Sequence, residues 1–357
     1  MKATTVSLLV ALALLVVGLL ALFIPVAIHG WDLTVLDPHR YTESTHPVAG
    51  EFTAISVETS LANVTVLPSE DGTCRAVLCE QEGLTHTVAV EDGTLRITET
   101  DTRRWYEKLI NLRSPSITLY LPEGSYGALT VSLSTGDVTL SEGFTFASLT
   151  LRGSTGDVAC RADVLGAIDV RLSTGDVLLE GISAGAITLT ASTGDTALTG
   201  VTCTSLTSSR STGHTRLDGL SAEGDVTLTS STGRIGLSRV SAGALSLYVS
   251  TGRTELADVT ATTLTSEGDT GDVTLTNTVL SGALTIVRST GDVTLTRCDA
   301  AELLIKTDTG DVKGTLLSEK IFIPRTDTGK IAVPETVTGG RCKVTTDTGD
   351  IRFTIAE

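Results

Sequence analysis

Apolar and polar residues alternate along most of the chain, and the alternation returns in register every 19 or 20 residues. A Thr-Gly dipeptide marks each repeat and occurs twelve times, with its glycines at Gly136, Gly156, Gly175, Gly194, Gly213, Gly233, Gly252, Gly271, Gly291, Gly310, Gly329 and Gly349. A period this constant is the signature of a repeat architecture, in which each unit buries its apolar face against its neighbours.

The apolar positions keep fixed distances from each glycine. Val, Ile or Thr stands two residues after it, and an aliphatic residue usually stands four after, seven before and five before it. A third apolar point follows seven or eight residues after the glycine. Alternation of this kind predicts strands with one buried face. Three short strands would make one coil, so the sequence predicts an all-β, single-stranded β-solenoid of about twelve coils, right-handed like most parallel crossovers.

The same parity also fits antiparallel hairpins that turn at Thr-Gly. Two-residue hairpin loops prefer Asn-Gly, Asp-Gly or Gly-X, and Thr-Gly is a poor substitute. A Ser-Thr-Gly-Asp bend with Gly third fits a type II turn between two strands of one coil. Stacked coils also require a constant period, whereas hairpins do not. We therefore favour the solenoid.

An uncharged run rich in Leu, Val and Ala, residues 6–28, precedes the β pattern. Its length suits a transmembrane helix across a hydrocarbon core of about 30 Å. A cleaved signal peptide is the alternative, but its apolar region is normally shorter and ends at an A-x-A-like site. Lys2 precedes the run and Asp32 and Asp37 follow it. The positive-inside rule therefore places residues 1–5 in the cytoplasm and the body outside the cell membrane.

Three segments complete the predicted organisation. Residues 29–50 are predicted to be a juxtamembrane linker, residues 51–126 an N-terminal β cap region, and residues 127–357 the β-solenoid repeats. Residues 103–113 break the β pattern because they are basic and amphipathic. Two interpretations of them stay open: a helix lying on the membrane surface, or a loop packed on the cap.

Four motifs of the sequence are distinctive: the Leu-Ser-Thr-Gly-Asp-Val-Thr-Leu series at 133–140, the Asp-Thr-Gly-Asp variant at 308–311, Leu-Pro-Glu-Gly at 121–124, and Gly-Trp-Asp at 30–32 after the hydrophobic segment. They resemble a large bacterial family of membrane-anchored, adhesin-like proteins with β-strand repeats, related to the toastrack-type envelope domains. The resemblance covers essentially the whole chain. It implies a β-helical extracytoplasmic domain with a role at the envelope, in adhesion or in sensing membrane stress. It implies no catalytic residues.

The net charge of the chain disfavours some classes of binding partner. The formal net charge is −16, which disfavours nucleic acid and anionic lipid surfaces because both are bound through Lys and Arg. Nothing in the sequence indicates a cofactor. The predicted partners are the membrane, through the N-terminal anchor, and an envelope protein, a glycan or a second copy of the chain.

An aspartate follows the glycine in eight of the twelve repeats. Stacked carboxylates repel one another, and a bound calcium ion would relieve the repulsion. The candidate calcium ligands are Asp308, Asp311, Asp347 and Asp350. The alternative is that each Asp accepts hydrogen bonds from the backbone of its own turn. This alternative is favoured because four residues interrupt the column, namely His214, Arg234, Arg253 and Lys330.

The cysteines occupy the phases of the repeat that are normally apolar or small. No two of them share a phase in adjacent repeats, so we expect buried hydrophobic residues rather than disulfides or metal ligands. The four cysteines within the repeats are Cys160, Cys203, Cys298 and Cys342.

One group of repeats carries unusual outward residues, and it is the most enzyme-like patch of the sequence: His214, Arg216, Arg234, Arg253 and Glu255. A β-helix enzyme acting on polysaccharides is therefore one alternative. Acidic residues in such an enzyme would be local exceptions, whereas here they belong to the repeat, so we expect no enzyme. The sequence favours a non-enzymatic, membrane-anchored solenoid that presents a binding surface. An envelope-stress sensor acting through a partner membrane protein is the second alternative.

The final repeat ends at residues 351–357 without a polar cap. An uncapped solenoid end exposes strand edges and apolar side chains, which favour pairing. We therefore expect the C-terminal coil to be the distal end of the molecule and to contact a partner.

Overall fold

The protein consists of one apolar helix and a β-solenoid of about 11 turns, which confirms the predicted fold class. The computed structural model describes residues 3–31, 39–105, 107–108 and 113–356. Helix α1 spans Ala3–Ile28 and contains Pro25. Its segment Val10–Ile28 is long and apolar enough to cross a membrane, so α1 is a candidate membrane anchor.

Thirty-two strands follow the helix within the described residues. The first seven are β1 (Tyr41–Pro47), β2 (Ala54–Thr59), β3 (Asn63–Pro68), β4 (Arg75–Gln81), β5 (Leu84–Glu91), β6 (Thr94–Asp101) and β7 (Ser116–Leu121). The others are β8 (Gly124–Leu133), β9 (Val138–Leu140), β10 (Phe144–Arg152), β11 (Val158–Cys160), β12 (Asp163–Val164), β13 (Ile168–Thr174), β14 (Val177–Glu180), β15 (Ala186–Thr193), β16 (Thr196–Thr199), β17 (Thr202–Cys203), β18 (Ser205–Thr212), β19 (Thr215–Asp218), β20 (Ser221–Ala222), β21 (Val226–Thr232), β22 (Ile235–Thr251), β23 (Thr254–Thr270), β24 (Val273–Leu280), β25 (Ala283–Thr290), β26 (Val293–Cys298), β27 (Glu302–Thr309), β28 (Val312–Leu316), β29 (Lys320–Thr328), β30 (Ile331–Ala332), β31 (Gly340–Thr348) and β32 (Ile351–Ile355).

Equivalent residues of successive repeats pair in parallel. Leu149 lies between Leu129 and Ile168, and Val158 lies beside Val138. These aliphatic columns are buried, so the core is continuous along the stack. Parallel pairing rules out the hairpin alternative for the repeats.

Seven consecutive coils have a second backbone corner besides the one marked by the Thr-Gly motif. It lies six residues after the Thr-Gly glycine, from the coil of Gly175 to that of Gly291, and has a left-handed backbone. Glycine occupies it at Gly181, Gly200 and Gly219, with φ between +61° and +69°. Later coils place Arg239, Asp258, Asn277 and Arg297 there, with φ between +47° and +56°. The 19-residue spacing of the three glycines was the sequence signal for this corner.

Stacking begins before the first Thr-Gly repeat, so the predicted cap boundary at residue 126 differs from the structure. β2 and β3 form a coil that pairs in parallel with β8 and β9. β6 and β7 stack on the other side of that coil. This coil could not be recognised from the repeat motif, because Ser60-Leu61-Ala62 replaces Thr-Gly at its corner.

Three antiparallel strands complete the cap end. β5 pairs with β6, β4 pairs with β7, and β1 pairs with β4. The predicted linker 29–50 is therefore too long, because β1 belongs to the folded body. Residues 32–38 of that linker lie outside the described residues.

The described part of the segment 103–113 forms a loop, as the second interpretation expected. The Arg103 side chain is buried against the cap, where its Nη2 lies 2.9 Å from Asp101 Oδ2. Its Nη1 donates to Gln81 Oε1. Residues 106 and 109–112 lie outside the described part of the chain.

The last two coils lie in an unexpected order, which corrects the prediction about the C-terminal coil. β31 lies between β27 and β29, and β32 lies between β28 and β30. The final coil of the sequence is therefore enclosed, and the coil of β29 and β30 forms the end of the stack. The crossover through residues 333–339 makes this order possible.

The cysteines of the repeats lie where their phases predicted. Cys160, Cys203, Cys298 and Cys342 are buried, and each is a free thiol. Burial raises the pKa of Cys342 to about 12, so its thiol stays protonated and unreactive near neutral pH.

Candidate functional site

The aspartates after the glycines form a hydrogen-bonded ladder between coils. Asp137 Oδ1 accepts the backbone N–H of Asp157 at 2.9 Å, and Asp157 Oδ1 accepts that of Asp176 at 2.8 Å. Each carboxylate thus bonds to the next coil, whereas the sequence led us to expect a hydrogen bond to the backbone of its own turn. The further acceptors are Asp176, Asp195, His214, Asp272, Asp292, Asp311 and Asp350. The ladder supplies the structural role for the repeated Asp.

The ends of the ladder reflect the order of the coils. Asn63 Oδ1 accepts the N–H of Asp137 at 2.9 Å, so Asn63 provides the first rung. Asp350 Oδ1 accepts the N–H of Lys330 at 2.8 Å. Lys330 has no acceptor in its side chain and needs none, since its coil is the end of the stack.

Three of the four calcium candidates make hydrogen bonds or ion pairs with other residues. Asp350 N–H donates to Asp311 Oδ1 at 2.8 Å, and Arg352 Nη2 lies 2.7 Å from Asp350 Oδ2. The hydrogen bond from Lys330 N–H, reinforced by Arg352, lowers the pKa of Asp350. Lys306 pairs with Asp308 at 3.3 Å. Asp347 is exposed, and no cluster of three potential metal ligands occurs among the described residues. These contacts engage oxygens of Asp308, Asp311 and Asp350, and calcium binding at the four candidates stays a prediction.

The Thr-Gly corner requires glycine for two reasons. The φ angles of the twelve glycines lie between +123° and +158°, a region that L side chains rarely adopt. At Gly156, a Cβ atom would lie 1.9 Å from the carbonyl oxygen of Gly136. These φ angles exceed the value of about +80° in a type II turn. The corner therefore differs from the predicted turn type, and close stacking of glycine on glycine is its defining feature.

Three successive coils replace the ladder aspartate with His214, Arg234 and Arg253, of which only His214 still accepts a hydrogen bond, and a groove lies there. We call this surface the basic groove and define it by His214, Arg216, Arg234, Gly236 and Glu255. Its volume is about 610 Å³. The patch predicted from the sequence contains four of these residues, all except Gly236, and they line the same groove in the structure. It places the fifth residue of that predicted patch, Arg253, beside the groove, paired with Asp272 at 3.7 Å.

Gly236 forms the notch of the basic groove. No atom lies within 4 Å of the position that its Cβ would take. The equivalent outward position carries Arg216 in the preceding coil and Glu255 in the following coil. The gap between two long side chains therefore arises from one missing side chain.

His214 has a defined hydrogen-bonding role at the edge of the groove. Its Nδ1 accepts the backbone N–H of Arg234 at 3.0 Å. A nitrogen that accepts carries no proton, so in the neutral ring the proton is on Nε2. The exposed imidazole is thereby fixed in the tautomer that offers one N–H donor.

Two arginines lie inside the solenoid without a carboxylate in contact. Arg210 donates from Nη1 to Gly194 O at 2.7 Å, and Arg288 donates from Nη2 to Ser266 Oγ at 2.9 Å. Burial lowers the pKa of both, and that of Arg288 falls to about 10. Nearby carboxylates oppose this shift: Asp176 and Asp195 for Arg210, and Asp269 and Glu267 for Arg288. Both arginines stand three residues before a glycine, an inward phase that could have identified them in the sequence.

A second surface of the molecule is apolar and lies towards the end of the stack. Six large apolar side chains are exposed in the last three coils of the stack, namely Ile321, Ile323, Ile331 and Val337 in the end coil and its crossover, and Leu304 and Leu317 two coils before it. We call this surface the distal tip. The order of the repeats along the sequence does not reveal this surface, because it places the coil of residues 351–357 at the end.

A family model covers most of this chain. The family model described as Toastrack DUF4097 matches residues 52–251 and 240–357. The chain belongs to the Toastrack DUF4097 family. The two matched segments together include the coil of β2 and β3 and all the Thr-Gly repeats. A comparison with curated proteins gives no match.

Solved structures with a similar course include two described as putative adhesins. The one from Bacteroides fragilis is 15% identical, with 89% of this chain and 97% of that chain covered and a TM-score of 0.29. The one from Parabacteroides merdae is 11% identical, with 71% and 95% covered and a TM-score of 0.36. A structure from Parabacteroides distasonis described as a putative lipid binding protein is 13% identical, with 88% and 97% covered and a TM-score of 0.32.

Proposed function

We propose that this toastrack protein is a non-enzymatic binding protein anchored in the cell membrane, which contacts a second copy of itself through the distal tip. Helix α1 would hold the body at its cap end, with the N-terminus cytoplasmic and the solenoid extracytoplasmic. The anchor supports this arrangement because α1 precedes the cap strands in the chain. The tip would then lie farthest from the membrane.

The exposed apolar surface of the tip carries the proposal. Its six residues fall within the short range 304–337, and the Val337 side chain is 87% exposed. In the described residues between 39 and 303, the exposed large apolar side chains are Trp105, Leu165, Tyr248 and Val279. Exposed apolar side chains concentrated in one region of a protein surface indicate an interaction site.

The charge distribution favours a second copy as the partner. Residues 302–343 contain seven Lys and Arg and six Asp and Glu, which gives a net charge of +1. The rest of the chain therefore carries −17, since the total is −16. Two copies would repel one another along their length, whereas two tips can meet without net repulsion.

The edge of the end coil favours contact through side chains. The outer edges of β29 and β30 have no partner strand in the described structure. Pro324 lies within β29 and removes one N–H donor from that edge. Addition of a strand is therefore disfavoured, and Ile321 and Ile323 remain the natural contacts.

Sedimentation of the full chain in detergent tests this proposal. We expect the wild-type protein to dimerise reversibly and Ile323→Lys to be monomeric, because a charge would be buried in the contact. Ser246→Lys is the matched control, since Ser246 has the same position relative to its glycine but lies far from the tip. A monomeric wild-type protein at micromolar concentration would contradict self-association. Cross-linking from the tip to a different membrane protein would instead support the sensor alternative.

A further inference from the structure

We propose that the basic groove is a second binding site, and that it binds an acidic oligosaccharide segment through its carboxylates. The groove lies several coils from the distal tip, so this site does not depend on self-association. The proposal rests on the interruption of the ladder, on the shape of the notch and on the polar groups that line it.

The interruption removes hydrogen bonds that the rest of the stack retains. Arginine side chains cannot accept hydrogen bonds, so Arg234 and Arg253 provide no rung for the next coil. The described structure shows no ladder acceptor for the N–H groups of Arg253 and Asp272. Local departures from an otherwise consistent design are expected at functional sites.

The shape of the groove suits an extended ligand. It is open to solvent and runs across four coils, and its volume of about 610 Å³ falls within the range of ligand sites. Residues equivalent to Gly236 in other coils include Thr139, Thr274 and Thr294. A Cβ atom at Gly236 would meet no atom within 4 Å, so the absence of a side chain is not a packing requirement.

The polar groups define the chemical class of the ligand. No carboxylate lies within ion-pair distance of Arg216 among the described residues, and Arg234 Nη1 is 3.9 Å from Glu255 Oε2. Guanidinium groups bind carboxylates with two parallel hydrogen bonds. His214 adds one N–H donor, and Glu255 can accept from a hydroxyl group. A molecule that carries both carboxylates and hydroxyl groups, such as a uronic acid chain, satisfies all four side chains.

Glu255 also makes the groove selective for an acidic sugar over other polyanions. A carboxylate in the groove repels a closely spaced chain of phosphates, which has no hydroxyl donors to offer it. An acidic sugar has fewer charges per length and places hydroxyl groups between them. The groove is thereby matched to a sugar acid more than to a polyphosphate.

Calorimetry of the full chain in detergent, titrated with tetragalacturonate, provides the test. We expect binding that weakens with added salt, as for exposed charges. Arg216→Ala should weaken binding by about tenfold through loss of a charge-assisted pair. Arg352→Ala is the matched control, because Arg352 has the same position relative to its glycine but pairs with Asp350 at 2.7 Å.

A second variant separates binding from folding. Arg234→Asp restores a ladder acceptor for the N–H of Arg253, so its Tm should equal or exceed that of the wild type. Its affinity for tetragalacturonate should nevertheless fall by at least about tenfold. Absence of tetragalacturonate binding, equal binding of a neutral galactose tetramer, tighter binding of polyphosphate, or equal effects of Arg216→Ala and Arg352→Ala would each overturn the proposal.

Discussion

Phe353, in the last described strand, packs against Phe322 in the coil that precedes it in sequence, with 5.5 Å between the centroids of the two rings. Phe353 also fills the space beside Gly314, where an added Cβ would lie 2.6 Å from its Cε1 atom. The C-terminal strand is thus packed between two earlier coils. Its residues act as core, although they end the sequence.

Phe353→Ala should therefore lower the free energy of unfolding by about 3 kcal/mol or more, as for other buried aromatic truncations. Chemical denaturation of the full chain in detergent measures this change. Val337→Ala, in the exposed crossover, should change stability by less than about 0.5 kcal/mol. Equal effects of the two substitutions would show that the last coil is not enclosed.

Gly233→Ala should disrupt the corner of its coil. The added Cβ would lie 1.9 Å from the Gly213 carbonyl oxygen, and φ at Gly233 is +147°. We expect a loss of at least about 2 kcal/mol, since both backbone strain and a collision with backbone contribute. Gly236→Ala, three residues further on, meets no atom within 4 Å and should be nearly neutral. Thermal unfolding of the two variants compares the corner with the notch, and a neutral Gly233→Ala would contradict the stacking argument.

Asp157→Ala should remove one rung of the ladder. The N–H of Asp176 would lose its acceptor at 2.8 Å, at a cost of about 1 kcal/mol. Asp157→Asn should retain stability, because an amide oxygen accepts equally and Asn63 already serves as a natural rung. Denaturant titration distinguishes the two. If the Asn variant is as unstable as the Ala variant, the charge matters more than the hydrogen bond.

Arg288→Met should raise stability at neutral pH. Arg288 is 1% exposed, and burial lowers its pKa to about 10, well below the ordinary value of an arginine. A lowered pKa of a base means that folding disfavours its charged form, and this penalty declines as pH rises above about 10. We expect the variant to be more stable by about 1 kcal/mol or more at pH 7, with the difference shrinking at alkaline pH. Arg171→Met, on the exposed face, is the control and should be neutral; a destabilised Arg288→Met would refute the prediction.

Glu99 should make the cap sensitive to acid. Its Oε2 accepts from Thr59 Oγ1 at 2.7 Å and from Ser60 N–H at 2.6 Å. Burial alone would raise the pKa of Glu99, but hydrogen bonds from His86, Ser60 and Thr59 outweigh it and lower the pKa to about 2. A lowered carboxyl pKa stabilises the fold above the unfolded value of 4.5, and this contribution is lost as pH falls towards 2.

Glu99→Gln should accordingly be less stable than the wild type at pH 7 by about 1 kcal/mol. The gap should close between pH 4.5 and 2, which thermal unfolding over that range would reveal. Glu91→Gln is the control, because its exposed carboxylate only pairs weakly with Arg96 at 3.7 Å. A gap that persists at pH 2 would show that Glu99 acts through packing instead of through its charge.

The sequence by itself determined the solenoid, its apolar columns and the positions of the corner glycines. Period-2 alternation and a constant repeat are local properties, so they could be identified without knowledge of the third dimension. The patch around His214 and Arg216 was found in the same way, since outward phases follow from inward ones. The buried phases of Cys160 and Cys342 followed equally from the pattern.

The tertiary structure decided which coil contacts which. Every coil presents the same edges and the same aliphatic columns, so nothing local distinguishes a coil that stacks next in sequence from one that stacks beyond it. Only the crossover at residues 333–339 lets the final coil enter between its predecessors, and only the pairing of β2 with β8 shows where the stack begins. The ladder, the notch at Gly236 and the distal tip depend on those contacts. They follow from packing across coils, which periodicity along the chain does not encode.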